Sequence, residues 1–202
     1  TTPGSGVRLL ADDPGVGDGF TWKLDGMSVH ARAGDGHFVD ILITGEQYPA
    51  PERTPRVFER DGRIWLLPEG GGEPVAISGP EDRFHSPILS PDESKVVYQG
   101  EETGLYMAAA DGSRTILVGP GEHPSWLPDS SGIVYSRAVY DDRGPVDGDL
   151  WFASADGRER TRLTNTPGTV ESYPHVAPDG QRIAYTRDGA IYVARFVRPL
   201  AP

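Results

Sequence analysis

Apolar and polar residues alternate in short runs along most of this chain, and Gly, Pro and Asp separate the runs. Residues 173–196, YPHVAPDGQRIAYTRDGAIYVARF, contain three such runs, divided by Pro-Asp-Gly and Asp-Gly. A period of two is typical of half-buried β-strands, and these dividers are typical of tight turns. Because no segment shows a sustained 3.6-residue apolar period, the pattern predicts an all-β fold built of hairpins.

The pattern repeats along the chain. SPILSPDESKVVYQG, HPSWLPDSSGIVYSR and YPHVAPDGQRIAYTR, which begin at Ser86, His123 and Tyr173, align on a Pro-Asp pair with a second proline four positions earlier. An aliphatic–aromatic pair such as Leu150-Trp151 follows each segment, and fainter copies lie upstream, so the anchors fall near positions 24, 51, 91, 128 and 178. Copies of about 40 residues predict a β-propeller, most simply of five short four-stranded blades. The alternative is a ring of four blades, in which the first two copies together form one blade.

The last copy supplies only three strands, and an unpaired edge strand promotes aggregation. Residues 7–26 align without gaps on residues 161–180, including an Arg-Leu pair and an Asp-Gly pair. Residues 7–11 therefore have the character of a fourth strand. We expect them to pair with residues 191–196 and close the ring.

The motif Pro-x-Trp/Leu-x-Pro-Asp-Gly, followed by strands like Ile-Ala-Tyr and Ile-Tyr-Val and then by Arg-Leu-Thr, resembles the propeller repeats of TolB-like proteins. The resemblance covers nearly the whole chain. It implies one propeller domain over residues 1–202, with a flexible segment at 1–6 and a tail at 197–202. It also implies an exported protein of the bacterial envelope, periplasmic or extracellular, that engages a protein or peptide partner without catalysis.

Composition narrows the classes of partner. The formal net charge is −11 and the Lys and Arg residues are scattered, which argues against nucleic acid, whose phosphates require clustered cations. The chain has no cysteine, so disulfides and thiolate metal sites are excluded. No apolar run approaches the roughly 18 residues of a membrane helix, so we expect no membrane insertion. A monomer is the simplest assembly.

The candidate site lies on the face where the innermost strands begin. Carboxylates precede these strands in every copy: Asp18, Glu46, Asp82, Glu122 and Glu171. In a narrow ring at roughly 6 Å spacing, neighbouring carboxylates would repel by about 3 kcal/mol. The ring would therefore need open solvent, shared protons or a cation. Ca²⁺ in the central channel is the candidate cofactor, because it binds oxygen ligands of this class.

Candidate ligand-binding residues at the same mouth are His85, His123, His175, Glu122, Glu171 and the aromatic Trp22. The three histidines lie at different positions relative to the repeat proline, so the sequence does not require their side chains to meet at one point. Trp126, which lies between two prolines, is expected in the core. Residues 138–151, AVYDDRGPVDGDLW, are expected to form a flexible acidic loop on this face.

Searches for catalytic motifs find no nucleophile elbow, phosphate loop or zinc-protease helix. A non-enzymatic binding module is therefore the preferred hypothesis. The alternative is a metal-dependent carbohydrate-active enzyme, a lyase or hydrolase, with its site at the channel mouth. A third hypothesis is an accessory propeller cut from a larger peptidase.

Overall fold

The computed structural model describes the backbone of residues 8–11, 20–22, 28–32, 38–42 and 47–49, and both backbone and side chains of residues 56–68 and 72–198. Within these ranges the regular structure is β-strand. No helix that could cross a membrane occurs among the described residues. The described strands form five antiparallel sheets.

The strands follow one another in hairpin order. The chain starts with β1 (Arg8–Ala11), which belongs to the fifth sheet. The first sheet holds β2 (Phe20–Trp22), β3 (Ser28–Arg32), β4 (Phe38–Leu42) and β5 (Gln47–Pro49), and the second holds β6 (Val57–Arg60), β7 (Arg63–Leu66) and β8 (Val75–Ala76). The third holds β9 (Phe84–Leu89), β10 (Lys95–Gly100), β11 (Gly104–Ala109) and β12 (Thr115–Gly119). The fourth holds β13 (Glu122–Trp126), β14 (Gly132–Asp141), β15 (Gly144–Ser154) and β16 (Arg160–Arg162), and the fifth holds β17 (Glu171–Val176), β18 (Arg182–Arg187), β19 (Ala190–Arg195) and β1.

The predicted pairing of the first strand with the last sheet is confirmed. β1 lies antiparallel to β19, with Arg8 opposite Val193 and Leu9 opposite Tyr192. β6 contacts β9, β10 and β11 contact β13, and β14 contacts β17, so the second to fifth sheets are neighbours in order. The fifth sheet also contacts the first, through β17 and β2. This order is that of a propeller. Closure into a complete ring and the number of blades stay predictions.

Apolar clusters fill the spaces between the second and third, the third and fourth, and the fourth and fifth sheets. Along β10, Val96 and Tyr98 point into the cluster shared with the second sheet, whereas Val97 points into the cluster shared with the fourth. The period of two in the sequence therefore gives each central strand two buried faces. Trp126 is confirmed as a core residue, and its Nε1 donates a hydrogen bond to the Ile88 carbonyl at 3.0 Å.

The two aromatic positions of the repeat face each other across the second and third strands of a sheet. Tyr98 lies opposite Tyr106, and their stacked rings are 5.6 Å apart. Tyr185 lies opposite Tyr192 in the same way, with ring centroids 6.0 Å apart. Such cross-strand aromatic pairs stabilise a sheet and help to fix its register.

Two glycines in hairpin turns provide a matched test of how closely the strands pack. Gly104 (φ +95°) and Gly189 (φ +84°) have similar left-handed backbones, but a Cβ at residue 104 would lie 2.4 Å from the Gly119 carbonyl oxygen, whereas nothing lies within 4 Å at residue 189. We expect Gly189→Ala to cost about 1 kcal/mol of unfolding free energy, the cost of the backbone conformation. Gly104→Ala should cost about 2 kcal/mol more, because backbone must also move. Urea unfolding of both variants measures the difference, and equal losses would contradict the described approach of β11 to Gly119.

Candidate functional site

A β-bulge interrupts the innermost strand of the third, fourth and fifth sheets at the residue before the repeat proline. Ser86, His123 and Tyr173 have φ of +52°, +52° and +51°, and the strand pairing shifts register at each of them. Positive φ is uncommon outside glycine. A bulge bends the strand and redirects a side chain. The repeat thus places one redirected side chain at the same point of each of these three sheets.

Two of the redirected side chains meet. The rings of His123 and Tyr173 lie 3.7 Å apart between centroids, with their planes tilted by 34°. His123 Nδ1 lies 3.1 Å from the hydroxyl of Ser136, which donates a hydrogen bond to the Glu122 carbonyl. The contact between the rings of His123 and Tyr173 joins the innermost strands of the fourth and fifth sheets.

The three predicted histidines are only partly brought together. Burial, and secondarily the neighbouring His123, lower the pKa of His175 to about 4. His85 belongs to the third sheet, where its Nδ1 lies 3.0 Å from the hydroxyl of Ser86. His123 and His175 therefore lie close enough to interact across the fourth and fifth sheets, and His85 lies on the third.

A projecting β-ribbon covers this part of the face. β14 and β15 stay paired as far as Asp141 opposite Gly144, well beyond the buried part of the sheet. The prediction of a flexible acidic loop over residues 138–151 is therefore wrong. In the tip, the Asp141 carboxylate accepts a hydrogen bond from the backbone amide of Arg143 at 2.7 Å. We call residues 137–147 the ribbon.

Glu122 holds the ribbon against the innermost strand. The hydroxyl of Tyr140 donates to the Glu122 carboxylate, lying 2.8 Å and 2.9 Å from its two oxygens. Burial and this hydrogen bond raise the pKa of Tyr140 to about 12. The described partner of Glu122 is therefore a tyrosine, and a role of Glu122 in ligand or metal binding stays a prediction.

A groove of about 330 Å³ lies between the ribbon and the fifth sheet. Its walls include Glu122, His123, Tyr140, Tyr173 and Asp188. On the other side of the Glu122–Tyr140 contact, a second depression of about 270 Å³ shares Glu122, Ala138 and Tyr140 with it. The two depressions adjoin at these shared residues, and we call them together the cleft. We call the larger part the ribbon groove.

The other predicted carboxylates bind different groups. Asp82 accepts the hydroxyl of Thr103 at 2.6 Å, and this hydrogen bond lowers the pKa of Asp82. Glu171 is fully buried and forms an ion pair with Arg187, whose Nε lies 3.0 Å from Oε1. These hydrogen bonds hold each carboxylate in its own sheet.

The described carboxylates do not fit one shared calcium ion. Asp82, Glu122 and Glu171 each have a protein partner, and the described residues contain no group of three or more His, Asp or Glu that could hold a metal. Asp18, Glu46 and the side chain of Trp22 lie outside the described residues. A calcium ion in the channel stays a prediction.

The comparisons with known proteins agree on the fold. TolB from Acinetobacter baumannii shares 15% identity and a TM-score of 0.52, over 88% of this chain and 54% of that chain. The putative TolB from Agrobacterium tumefaciens is 19% identical and superposes with a TM-score of 0.47; the match covers 88% of this chain and 72% of that chain. An oligogalacturonate lyase in complex with manganese is 15% identical and superposes with a TM-score of 0.45; the match covers 90% of this chain and 78% of that chain. No family model and no curated protein sequence matches the chain.

The likeness to the Acinetobacter protein supports a TolB-like propeller fold and nothing finer. The chain spans about half the length of the Acinetobacter protein. The all-β architecture and the neighbouring antiparallel sheets agree with the sequence resemblance.

Sequence reasoning missed Tyr140, Tyr173 and Asp188 as walls of the ribbon groove. Tyr173 had a usable signal, since it occupies the position before the repeat proline that His123 occupies in the fourth sheet. Tyr140 lies in the segment that the sequence predicts to be a loop. Its place beside Glu122 depends on the ribbon being a hairpin rather than a loop.

The buried pair of Glu171 and Arg187 gives a stability prediction. Arg187→Met leaves a fully buried carboxylate without its cation, so we expect a loss of about 3 kcal/mol in unfolding free energy. Arg182→Met breaks the more exposed ion pair with Asp179 and should cost less than about 1 kcal/mol. Urea unfolding of both variants measures the losses. Equal losses would show that Glu171 does not depend on Arg187.

The environment of His175 gives a pH prediction. Its folded pKa of about 4 lies below the ordinary value of 6.5, so the unfolded chain binds a proton more readily between these values. The stability contributed by the neutral imidazole is complete above about pH 6.5 and is lost as the pH falls towards 4. NMR titration of the ring should give a midpoint near pH 4. His175→Gln should flatten the fall in stability over this interval, and a midpoint near 6.5 would contradict the burial.

Proposed function

We propose that the chain is a non-enzymatic binding module of the bacterial envelope, periplasmic or extracellular, and that it holds a protein or peptide partner in the ribbon groove. The single observation that carries the proposal is the groove itself, which is open and aromatic-walled. It lies on the face where the innermost strands begin. The TolB-like fold is consistent with this role.

The groove surroundings have the chemistry of a protein-binding surface. Tyr140 is 55% exposed although its hydroxyl is bonded, and Val139 (57%) and Val146 (44%) are exposed beside it on the ribbon. Aromatic residues with one apolar part and one polar end are enriched in interfaces. Apolar residues gathered on a projecting element are typical of an interaction site.

The geometry favours binding over metal-dependent catalysis. The described carboxylates engage Thr103, Tyr140 and Arg187, so they lend no support to a cation-dependent lyase or hydrolase. The redirected rings of His123 and Tyr173 instead provide a fixed, apolar contact surface. A partner segment could lie along the cleft without any chemical step.

Selection of peptides from a displayed random library against the purified chain tests the proposal. Ala138→Arg places a long side chain in the shared wall of the cleft, and Val75→Arg places the same side chain on an exposed position of β8 as a matched control. We expect the selected peptides to lose at least tenfold in affinity for Ala138→Arg and less than twofold for Val75→Arg. Thermal unfolding checks that both variants are folded. Peptides that bind Ala138→Arg as well as the parent chain would refute the groove as the binding site.

A further inference from the structure

We infer that the ribbon groove recognises a lysine or arginine side chain of an extended peptide, and that the Glu122 carboxylate receives its cation. The inference rests on the proposed function and adds the chemistry of the ligand. Three features of the groove support it: the sign of its charge, the spare capacity of Glu122 and the nature of its walls.

The charge of the cleft is one-sided. Glu122 and Asp188 line the ribbon groove, and no lysine or arginine lines it in the described part of the chain. The continuation beyond Tyr140 adds Glu101 and Glu102, with Arg137 as its described cation. A cleft lined mainly by one sign of charge concentrates ligands of the opposite sign. The whole chain, at a formal net charge of −11, reinforces this preference.

Glu122 can accept a further donor. One hydroxyl, that of Tyr140, is shared between its two oxygens, whereas an ionised carboxylate offers about four lone-pair sites. The side chain is 29% exposed, so a ligand can reach it from the groove. Glu171, by contrast, is fully buried with Arg187. A ligand cation can therefore reach Glu122, between the ribbon and the innermost strand, and the exposed Asp188 adds negative charge on the opposite wall.

The walls suit the stem of a long cationic side chain. The rings of Tyr140 and Tyr173 line the groove beside Glu122, and Ala138 and Pro145 add apolar surface. Lysine and arginine place their methylene stems on apolar surface and keep the charged end near polar groups. A cation near an aromatic face gains additional attraction. A short cation or a neutral side chain would use only part of this arrangement.

NMR titration of the ¹⁵N-labelled chain with three blocked tripeptides tests the inference. The probes are acetylated, amidated Ala-Lys-Ala, its neutral analogue with norleucine in place of lysine, and Ala-Glu-Ala. We expect the lysine peptide to shift the amides of Glu122, His123 and Tyr173 and to bind at least tenfold more tightly than the norleucine peptide. Added salt should lower the affinity of the lysine peptide more than that of the other two peptides, because it screens the attraction between charges.

Two substitutions separate recognition by Glu122 from a merely structural role. Tyr140→Phe keeps the ring in the groove wall and removes the hydroxyl that bonds Glu122, whereas Glu122→Gln removes the charge but keeps a carbonyl oxygen that can accept this hydroxyl. We expect Glu122→Gln to weaken binding of the lysine peptide at least fivefold, and Tyr140→Phe to weaken it clearly less. Asp111→Asn removes one charge from an exposed turn between β11 and β12 and should change the affinity less than twofold.

Each contrary result has a distinct meaning. Equal binding of the lysine and norleucine peptides in the groove would overturn the cation inference and leave the proposed function standing. Equal weakening by Glu122→Gln and Tyr140→Phe would overturn it too, since Glu122 would then act by holding the ribbon. Absence of shifts at the groove amides with any tripeptide would also overturn it. The library selection judges the proposed function separately.

Discussion

The outer edge of β19 is the constraint on which the described architecture depends. Three strands of the fifth sheet come from the end of the chain, and without a fourth they would present an open row of backbone donors and acceptors. β1 pairs with that edge and so joins the beginning of the chain to its last sheet. β17, at the opposite edge of the same sheet, contacts the fourth sheet and β2 and contributes a wall of the ribbon groove. The sheet that β1 completes is therefore also the sheet that lines the candidate site.

The second recurring element is the bulge before the repeat proline. Three copies keep a non-glycine residue at φ near +50°, a conformation that costs of order 1–3 kcal/mol each. Because the innermost strands of neighbouring sheets touch, the redirected His123 and Tyr173 come into contact. Hydrogen bonds such as that from the Val176 amide to Ser125 hold the same two strands together a few residues away. The fold therefore presents variable side chains on a fixed backbone frame.

The sequence was sufficient to predict the strands and the role of residues 7–11, because these follow from a period of two and from gapless self-similarity. It was not sufficient for the site. A bulge reverses the expected direction of a side chain, so Tyr173 could not be placed from its position in the strand. Register decides which charges meet, and Glu171 lies directly opposite Arg187 rather than at a shared ring of acids. Aspartates are typical of turns, so the sequence predicts a loop at the ribbon. In the structure, Asp141 lies opposite Gly144 and Asp147 lies opposite Val139 across a hairpin.

The most direct test of this account is a disulfide between β1 and β19, which the cysteine-free chain allows without background. Directly opposed residues of antiparallel strands have Cα atoms about 4.5–5.5 Å apart, within disulfide range, whereas diagonal neighbours exceed it. Arg8 lies opposite Val193. The account predicts rapid, complete intramolecular oxidation of the Arg8→Cys/Val193→Cys variant and little of the diagonal Arg8→Cys/Arg195→Cys variant. Equal oxidation of both, or of neither, would contradict the pairing that completes the last sheet.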